Sequence, residues 1–287
     1  MEELKLWKDD PWLEPWRDAI WRRYQKSVLK NLEISGYGKP LKLSVNSHLF
    51  YGVTKDSEGN RVFREWAPGA DAIYLIGEVN HWKRDEKYRL RSIGSGNWEL
   101  KLPANEVKHG MLFKWLICWK GGEGERIPAY ATRTVQDPDT KLFAAQVWDP
   151  LPYEWRYPQV KKVKNPLIYE AHIGMSSEEP KVAGFNYFRE EVIPHIAKLG
   201  YNTIQLMAVQ EHPYYGSFGY QVSGFFAVSS RFGTPEELKM LIDEAHSHKI
   251  AVVLDIIHSH AVNNVLEGLS LFRSEERRVG KECRSRW

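Results

Sequence analysis

The sequence predicts a multidomain protein of the β + α/β class, with an N-terminal helical segment, a β-sandwich and a truncated (β/α)8 barrel. Apolar residues first recur every four positions, then short β-type runs alternate with turns, and finally strands alternate with helices. These three patterns carry the prediction. The predicted segments are a helical segment over 1–45, a β-sandwich over 46–150, a linker over 151–165, a partial barrel over 166–272 and a tail over 273–287.

The helical segment is predicted from the run PWLEPWRDAIWRRYQKSVLKNL. Trp16, Ile20, Tyr24, Val28 and Leu32 follow one another at intervals of four residues. This spacing places their side chains on one face of an α-helix, because a helix completes a turn every ~3.6 residues.

The region 46–150 contains short β-type runs, such as RVFREWAP, AIYLIGEV and GNWELKLP, that are bounded by turn residues. The stretch Gly121–Gly124 lies between two such runs and predicts a hairpin turn. A phosphate-binding loop would need a following helix and a lysine at a fixed spacing, and this stretch has neither. Short, evenly spaced strands of this kind are typical of a β-sandwich.

From residue 166 the pattern becomes strand, helix, strand, helix, strand. The strands are predicted in NPLIYEAHIG, YNTIQLMAV and IAVVLDIIH, and the helices in FREEVIPHIAKLG and GTPEELKMLIDEAHSHK. Such an alternation favours a parallel sheet, and apolar strands that end in polar residues favour a (β/α)8 barrel. Only the first three βα units of that barrel fit before the tail, so we expect a truncated barrel.

The two predicted helices carry different local signals. In the first, Pro194 predicts a kink or the start of a shorter helix, because proline has no backbone N–H to donate. In the second, Thr234 is a candidate N-cap, Pro235 falls at the first helical position, and Glu237 can close a capping box.

The composition is that of a globular protein, with 43% hydrophobic and 27% charged residues. Its two cysteines, Cys118 and Cys283, make no disulfide framework. The charged first residues, MEELKLWKDDPW, lack the apolar stretch of a signal peptide, and no apolar run approaches the ~20 residues of a membrane helix. We therefore expect a cytoplasmic protein with no membrane partner, no metal and no cofactor.

The last fifteen residues, RSEERRVGKECRSRW, hold six basic and three acidic residues and so account for the whole net charge of +3. The rest of the chain is neutral, which removes the electrostatic reason to expect a nucleic-acid partner. This tail has neither a helical nor a strand period. It resembles a translated adapter or vector sequence, and a solvated basic tail is the alternative.

The segment that follows the second predicted strand, QEHPYYGSFGYQVSGFFAVSSRFG, is longer than most βα loops. Long loops on a rigid scaffold are often functional, and aromatic rings can present flat faces to a ligand. We interpret Tyr220 as the functional candidate in this loop. For Phe225 and Phe226 we favour a local hydrophobic cluster that packs the loop down.

Asp255 and His260 follow the third predicted strand, where a barrel places its site. Because aspartate is rarely buried without a partner, Asp255 indicates either a site or an ion pair. A zinc site formed by Asp255, His258 and His260 is less favoured, since no fourth ligand is evident.

Several motifs in the same order resemble known proteins. EWAPGADAIYLIGEVNHW resembles the family-48 carbohydrate-binding module of starch- and glycogen-active enzymes. IYEAHIGMSS, the run GYNTIQLMAVQEHPYYGSFGYQVSGFFAVSSRFGTPEELK and VVLDIIHSHAVNNVLEGLSLF resemble the 1,4-α-glucan-branching enzymes of the α-amylase superfamily. The HSH triplet resembles the sequence at this place in the eukaryotic-type members of that family. The resemblance runs from about residue 10 to residue 272 and identifies the chain as an N-terminal part of such an enzyme.

The resemblance implies a retaining enzyme that cleaves an α-1,4-glucan and transfers the fragment to a 6-hydroxyl, which creates an α-1,6 branch. It assigns three substrate-binding residues. Asp255 would orient the site, His260 would hydrogen-bond the sugar at the cleavage subsite, and Tyr220 would stack on that sugar. The family's nucleophilic aspartate follows the fourth strand and its acid/base glutamate the fifth, so we expect no catalytic residue in this chain. The implied partner is a glycogen- or amylose-like polysaccharide.

In the predicted carbohydrate-binding module, Trp82 and Trp98 are the candidate sugar platforms, although the module could serve mainly to brace the barrel. Two other functions stay open at this point. One is a debranching or amylase-type hydrolase of the same superfamily. The other is a glycan-binding protein without catalysis.

Overall fold

The structure is a computed structural model that describes residues 6–36, 39–160, 163–258, 261–262 and 266–267. The prediction for the tail over 273–287, and that for His260, therefore fall outside the described residues. The chain divides into two compact units, the first ending at Phe50 and the second beginning at Tyr51.

The first unit is helical, as predicted. Its helices are α1 (Leu6–Asp9), α2 (Arg17–Ser35) and α3 (Ser47–Phe50). Helix α2 covers the run in which apolar residues recur every four positions. It ends at Gly36, whose backbone is left-handed (φ 67°) and whose N–H donates to the carbonyl oxygen of Leu32, a common way for a helix to terminate.

The second unit begins with a β-sandwich, which confirms that part of the predicted fold. Its strands are β1 (Gly52–Lys55), β2 (Arg61–Trp66), β3 (Ala72–Gly77), β4 (Arg91–Gly94), β5 (Asn97–Leu102), β6 (Leu112–Trp119), β7 (Gly122–Arg126), β8 (Thr134–Gln136) and β9 (Phe143–Gln146). Strands β1, β2, β5 and β4 form one antiparallel sheet in that order, and β3, β6, β9 and β8 form the other, with β7 paired to β6. The hairpin predicted at Gly121–Gly124 joins β6 to β7, but its turn is formed by Lys120 and Gly121, and Gly122–Gly124 already belong to β7.

The sandwich core lies between the two sheets and is rich in aromatic rings. Phe63 of β2 meets Phe113 and Trp115 of β6 edge to face, with ring centroids 5.4 and 6.1 Å apart. Burial alternates along β6, because successive side chains of a strand point to opposite faces. Phe63 and Trp115 are fully buried, so the two sheets are held together mainly by apolar contact.

Three parallel strands follow the sandwich, as predicted for the first part of a barrel. The elements of this part are β10 (Ile168–Ala171), α4 (Phe185–Tyr187), α5 (Ile193–Lys198), β11 (Thr203–Leu206), β12 (Gln210–Glu211), β13 (Gly224–Val228), α6 (Pro235–Ser247) and β14 (Ala251–Leu254). Strand β11 lies between β10 and β14, in a register that pairs Ile168 with Thr203 and Thr203 with Ala251.

The first of the two predicted helices is interrupted near Pro194, also as predicted. A π-helical turn over Phe188–Val192 joins α4 to α5, and Pro194 lies in the first turn of α5. A proline in the middle of an α-helix removes one backbone hydrogen bond and pushes against the preceding turn. The wider π turn takes up that mismatch, so the chain stays helical.

The second predicted helix, α6, begins at the predicted N-cap. The hydroxyl of Thr234 accepts from the backbone N–H of Glu237 (3.2 Å), and the Glu237 carboxylate accepts from the backbone N–H of Thr234 (2.7 Å). This is the reciprocal capping box. Leu238, Leu241 and Ala245 bury one face of α6 against the parallel sheet.

The predicted linker is fastened to α6 by one buried carboxylate. Asp243 accepts hydrogen bonds from the backbone N–H of Arg156 (3.2 Å) and of Tyr157 (3.0 Å), from Arg156 Nε (2.9 Å) and from the Tyr153 hydroxyl (3.2 Å). Burial alone would raise the pKa of Asp243, but these hydrogen bonds outweigh burial and hold the pKa below its usual value. The sandwich is thus connected to the barrel strands through a fixed segment.

Candidate functional site

The candidate site lies at the carboxyl ends of the parallel strands. Asp255 directly follows β14, and its backbone N–H donates to the carbonyl oxygen of Leu206 at the end of β11 (2.9 Å). His172 directly follows β10. Because the three strands are parallel, their carboxyl ends meet at one edge of the sheet, which is the edge that carries the site in (β/α)8 barrels.

The structure brings two predicted site residues into direct contact. The Tyr220 hydroxyl donates to Asp255 Oδ2 at 2.8 Å, although the residues are 35 positions apart in the chain. This hydrogen bond, followed by partial burial, raises the pKa of Tyr220 above its ordinary value, because the phenol must keep its proton to donate it. Both side chains keep part of their surface exposed, so a ligand can reach them.

Gly219 fixes the position of Tyr220. Its backbone is left-handed (φ 87°), and a Cβ built there would lie 2.3 Å from the carbonyl oxygen of Ala208. Any other residue would therefore strain the backbone and collide with a buried neighbour. The turn is closed by the Tyr220 N–H, which donates to the carbonyl oxygen of Ser217 (2.9 Å).

A short antiparallel ladder supports this loop. Strands β12 and β13 form inside the segment that the sequence analysis treated as one long loop. The Gln210 side chain extends the support, since its Oε1 accepts from the backbone N–H of Ile257 (2.8 Å) and its Nε2 donates to the carbonyl oxygen of Phe225 (3.2 Å). One amide thus holds the chain after β14 against β13.

His260 lies outside the described residues, but its neighbours are placed. Ala261 forms an isolated parallel bridge with Val222, and the Val262 N–H donates to the Val222 carbonyl oxygen (2.8 Å). The chain next to His260 therefore runs beside the loop that carries Tyr220. The role assigned to His260 stays a prediction.

Arg231 holds the start of the same loop, at His212 and Pro213, by hydrogen bonds. Its guanidinium donates to the carbonyl oxygens of His212 and of Pro213, the latter at 2.7 Å, and to Oε1 of Gln136 in the sandwich (3.2 Å). Arginine suits this position because its planar group presents several donors in a fixed geometry. The loop is therefore held to the sandwich as well as to the barrel strands.

A buried carboxylate beside Arg231 strengthens that connection. Glu211 is fully buried and accepts from the Thr134 hydroxyl of the sandwich (3.1 Å), the Ser229 hydroxyl (2.9 Å) and the Ser230 N–H (2.8 Å). Arg231 lies 3.8 Å from it. A buried charge is tolerated only where such partners replace water. Glu211 thus contributes a satisfied polar junction between the sandwich and the barrel strands.

Sequence reasoning missed two buried histidines, His172 after β10 and His212 within the loop itself. His172 packs edge to face against Tyr215, Phe218 and Phe232, with centroids 5.3–5.9 Å apart. Burial, and then the neighbouring His212, lowers the pKa of His172 below its ordinary value. His172 is therefore a neutral aromatic support for the turn that precedes Tyr220. The sequence feature that could have identified His172 as a residue near the site is its position directly after a predicted strand.

The two tryptophans proposed as sugar platforms occupy different environments. Trp82 is 41% exposed and has a left-handed backbone (φ 60°), and Lys114 Nζ lies 6.0 Å from its ring centroid. Trp98 is only 9% exposed, packs in the sandwich core, and donates its indole N–H to the carbonyl oxygen of Ala67 (3.0 Å). Its burial makes Trp98 the weaker of the two candidates, and both sugar-platform roles stay predictions.

Phe225 and Phe226 also differ. Phe225 packs against a small buried cluster around Ile257 and Val222, in agreement with our interpretation. Phe226 instead stacks on Tyr130 of the sandwich (4.7 Å between centroids, 21° between planes) and remains 45% exposed. The second ring thus contributes to the contact between the sandwich and the barrel strands.

The described residues also bear on metal binding and on membrane insertion. Among the described residues, no group of three or more His, Cys, Asp or Glu side chains is arranged to hold a metal ion. Within the same residues, no helix has the length and apolar character that crossing a membrane requires.

Two family models match separate parts of the chain. Residues 50–131 match the family described as Carbohydrate-binding module 48 (Isoamylase N-terminal domain). Residues 190–271 match the family described as Alpha amylase, catalytic domain. The first match falls on the sandwich and the second on the part of the barrel that includes β11 and β14, which confirms the predicted order of a carbohydrate-binding module followed by part of a catalytic barrel.

Curated relatives match almost the whole chain. The 1,4-alpha-glucan-branching enzyme of Dictyostelium discoideum is 43% identical over 93% of this chain and 40% of its own length. The enzymes of the same name from Solanum tuberosum and Felis catus are 42% and 40% identical over 94% of this chain, which is 32% and 40% of their own lengths. This chain therefore spans two fifths or less of the relatives that it matches.

Solved structures are similar in fold. The pullulanase SAP of Group B Streptococcus superposes with a TM-score of 0.63 at 19% identity and covers 82% of this chain and 36% of its own. The catalytic module of the pneumococcal virulence factor SpuA, which is described as glycogen-degrading, gives 0.61 at 19% identity over 80% of this chain and 39% of its own. At this identity the likeness concerns the arrangement of module and barrel strands.

Proposed function

We propose that this chain, which matches 1,4-alpha-glucan-branching enzymes over almost its whole length, is part of such an enzyme and binds the α-1,4-glucan substrate of a branching reaction. In that reaction a glucan fragment is cleaved with retention and passed to a 6-hydroxyl. The residues of this chain would bind and orient the sugar at the carboxyl ends of the barrel strands.

The hydrogen bond between Tyr220 and Asp255 is the observation that carries the proposal. It holds an exposed aromatic ring and a carboxylate in one fixed arrangement at the strand ends. An aromatic face can stack on a sugar ring, and a carboxylate can accept hydrogen bonds from sugar hydroxyls. The Tyr220 hydroxyl occupies Asp255 Oδ2, and no hydrogen bond within the described part of the chain reaches Oδ1; we assign Oδ1 to a sugar hydroxyl.

We propose further that this chain alone binds glucan without transferring it. A retaining reaction needs two carboxyl groups about 5–5.5 Å apart, one as nucleophile and one as acid/base. The family resemblance assigns these groups to the fourth and fifth barrel strands, and the described residues form three parallel strands. Asp255 would then orient the sugar instead of attacking it.

The carbohydrate-binding module would add a second, weaker contact to the glucan. Trp82 is the candidate, because its ring is partly exposed while Trp98 is buried. The contacts of Glu211 and Arg231 with the sandwich support a bracing role for the module at the same time. The two roles are compatible, since they use different residues of the sandwich.

The proposal is tested by titrating the chain with maltoheptaose and by sedimentation with glycogen. We expect Tyr220→Ala to weaken maltoheptaose binding by about tenfold, because it removes both the ring and the hydrogen bond to Asp255. Tyr220→Phe keeps the ring and should weaken binding only by about threefold. Trp82→Ala should lower glycogen sedimentation with little effect on maltoheptaose binding.

The matched control is Tyr24→Ala, which removes another exposed tyrosine from a helix of the first unit. It should leave both measurements unchanged. New α-1,6 linkages after incubation with amylose are measured by NMR, and we expect none. Absence of maltoheptaose binding would refute the glucan-binding proposal, whereas formation of branches would refute the proposal that this chain does not transfer.

A further inference from the structure

Tyr214 lies on the same loop as Tyr220 and has an unusual support. Its ring lies across the backbone of Gly216: a Cβ built on Gly216 would lie 2.6 Å from the Tyr214 hydroxyl oxygen and 2.7 Å from Cζ. The ring can rest there only because residue 216 has no side chain. The other side of Tyr214 faces outward, and the residue is 63% exposed.

The backbone around Tyr214 is also fixed. The Ser217 N–H (3.0 Å) and the Ser217 hydroxyl (2.7 Å) both donate to the Tyr214 carbonyl oxygen. The next turn is closed by the Phe218 N–H, which donates to the carbonyl oxygen of Tyr215 (2.9 Å). Single exposed aromatic residues are common on protein surfaces. Tyr214 differs because its ring is supported from below and its backbone is held by two hydrogen bonds.

Tyr214 is close enough to Tyr220 to contact the same ligand. The two residues are six positions apart, so a fully extended chain would separate them by ~20 Å at most. The turns through Ser217 make the actual path shorter. Phe218, which lies between them in the sequence, is also partly exposed. The loop therefore carries exposed aromatic side chains within reach of one long glucan that is bound at the Tyr220–Asp255 pair.

We propose that Tyr214 is a second sugar-stacking platform, which binds a glucose unit of the same α-1,4-glucan beyond the unit on Tyr220. The inference rests on the proposed function, since it assumes that Tyr220 holds a glucan. The apolar face of a pyranose ring fits a flat aromatic surface, and its hydroxyls remain in water. A supported ring loses little freedom on binding, which favours affinity. Long glucans therefore gain a contact that short ones cannot reach.

The experiment compares maltotriose with maltoheptaose as ligands of the whole chain. Tyr214→Ala should weaken maltoheptaose binding by about fivefold and leave maltotriose binding unchanged, whereas Tyr214→Phe should resemble the parent chain for both. Gly216→Ala provides an independent variant. Its backbone is not left-handed, so alanine fits the backbone, but the new Cβ displaces the Tyr214 ring. Gly216→Ala should therefore lower the affinity for maltoheptaose, although the Tyr214 ring itself is still present.

Tyr157→Ala is the control, because Tyr157 is another exposed tyrosine and its contact with Asp243 uses the backbone N–H. If maltoheptaose binds and neither Tyr214→Ala nor Gly216→Ala weakens it, the inference is wrong and the proposed function stands. An equal loss for both ligands also overturns it, because the ring would then belong to the Tyr220 subsite. If neither ligand binds the parent chain, the proposed function itself fails.

Discussion

Gly219 and Tyr220 show what the sequence can predict about the loop and what it cannot. The sequence indicates a turn at this place, but it does not predict the position that the turn gives to the Tyr220 side chain. A glycine next to an aromatic residue in a long loop indicates a tight turn. The reason for the glycine is the carbonyl oxygen of Ala208, which lies 2.3 Å from where a Cβ would be. That contact joins residues eleven positions apart. Local sequence patterns predict the turn, but the collision exists only in the folded chain.

Glu65 is a second residue whose behaviour depends on folding. Its carboxyl group is buried in the sandwich and accepts from Trp115 Nε1 (3.0 Å), the Ala129 N–H (3.0 Å) and the Trp66 N–H (2.9 Å). Burial raises its pKa from 4.5 to about 7, although the three hydrogen bonds act in the opposite direction. The folded state therefore holds a proton at Glu65 more tightly than the unfolded state does.

This pKa predicts that the protein loses stability between about pH 4.5 and pH 7. Because the pKa of Glu65 is raised on folding, its favourable contribution is complete below pH 4.5 and is lost as the pH rises through 7. The loss approaches about 3 kcal/mol of the free energy of unfolding. Glu65→Gln cannot titrate and should flatten this part of the pH profile, which urea unfolding at several pH values measures.

The control for this prediction is Glu154→Gln, because Glu154 is an exposed carboxylate in the linker. It should leave the pH profile as in the parent chain. An identical pH dependence for the parent and Glu65→Gln would contradict the assignment of the effect to Glu65.

Among the secondary-structure elements, α6 begins directly after Thr234, the N-cap that its sequence predicts. The cap depends on Thr234 and Glu237, which are three positions apart and need no distant partner. Glu237 also accepts from Asn186 Nδ2 (2.6 Å), which connects the start of α6 to α4. The helix start is local and was predictable, whereas the Asn186 contact follows from packing.

We predict that Thr234→Ala lowers the free energy of unfolding by about 1 kcal/mol, because it leaves a backbone N–H at the helix start without its partner. The expected fall in Tm is about 2–4 °C for a domain of this size. Thermal unfolding followed by circular dichroism measures it. Thr132→Ala, at an exposed threonine of the sandwich, is the control, and equal changes in Tm would argue against the cap.

The remaining elements show which parts of the fold local sequence patterns predict and which parts they do not. The alternation of strands and helices predicted the parallel sheet, because each strand and helix has its own period. The β12–β13 ladder was not predicted, because its pairing depends on the bulge at Gln210 and Glu211. The burial of Trp98 was not predicted either, since an isolated tryptophan is equally compatible with a core and with a sugar platform.

For the whole molecule, the sandwich and the barrel strands differ in how completely they are covered. The sandwich has a core between two sheets. In the parallel sheet, Ile204 and Leu206 of the central strand are fully buried, but Ile168 of β10 and Val253 of β14 are 48% and 47% exposed. Among the described residues no further strand pairs with β10 or β14. Exposed apolar edge strands open and associate more readily than covered ones.

We therefore predict that 46–150 folds independently while 166–272 does not, so that a protease first cuts within 166–272. Limited proteolysis with mass spectrometry of the fragments measures this order. The contacts of Glu211 and Arg231 with Thr134 and Gln136 should delay cuts near those residues, so the earliest cuts are expected around β10 and β14. Equal resistance of the two regions would contradict the prediction, because it would mean that contact with the sandwich is enough to stabilise three open strands.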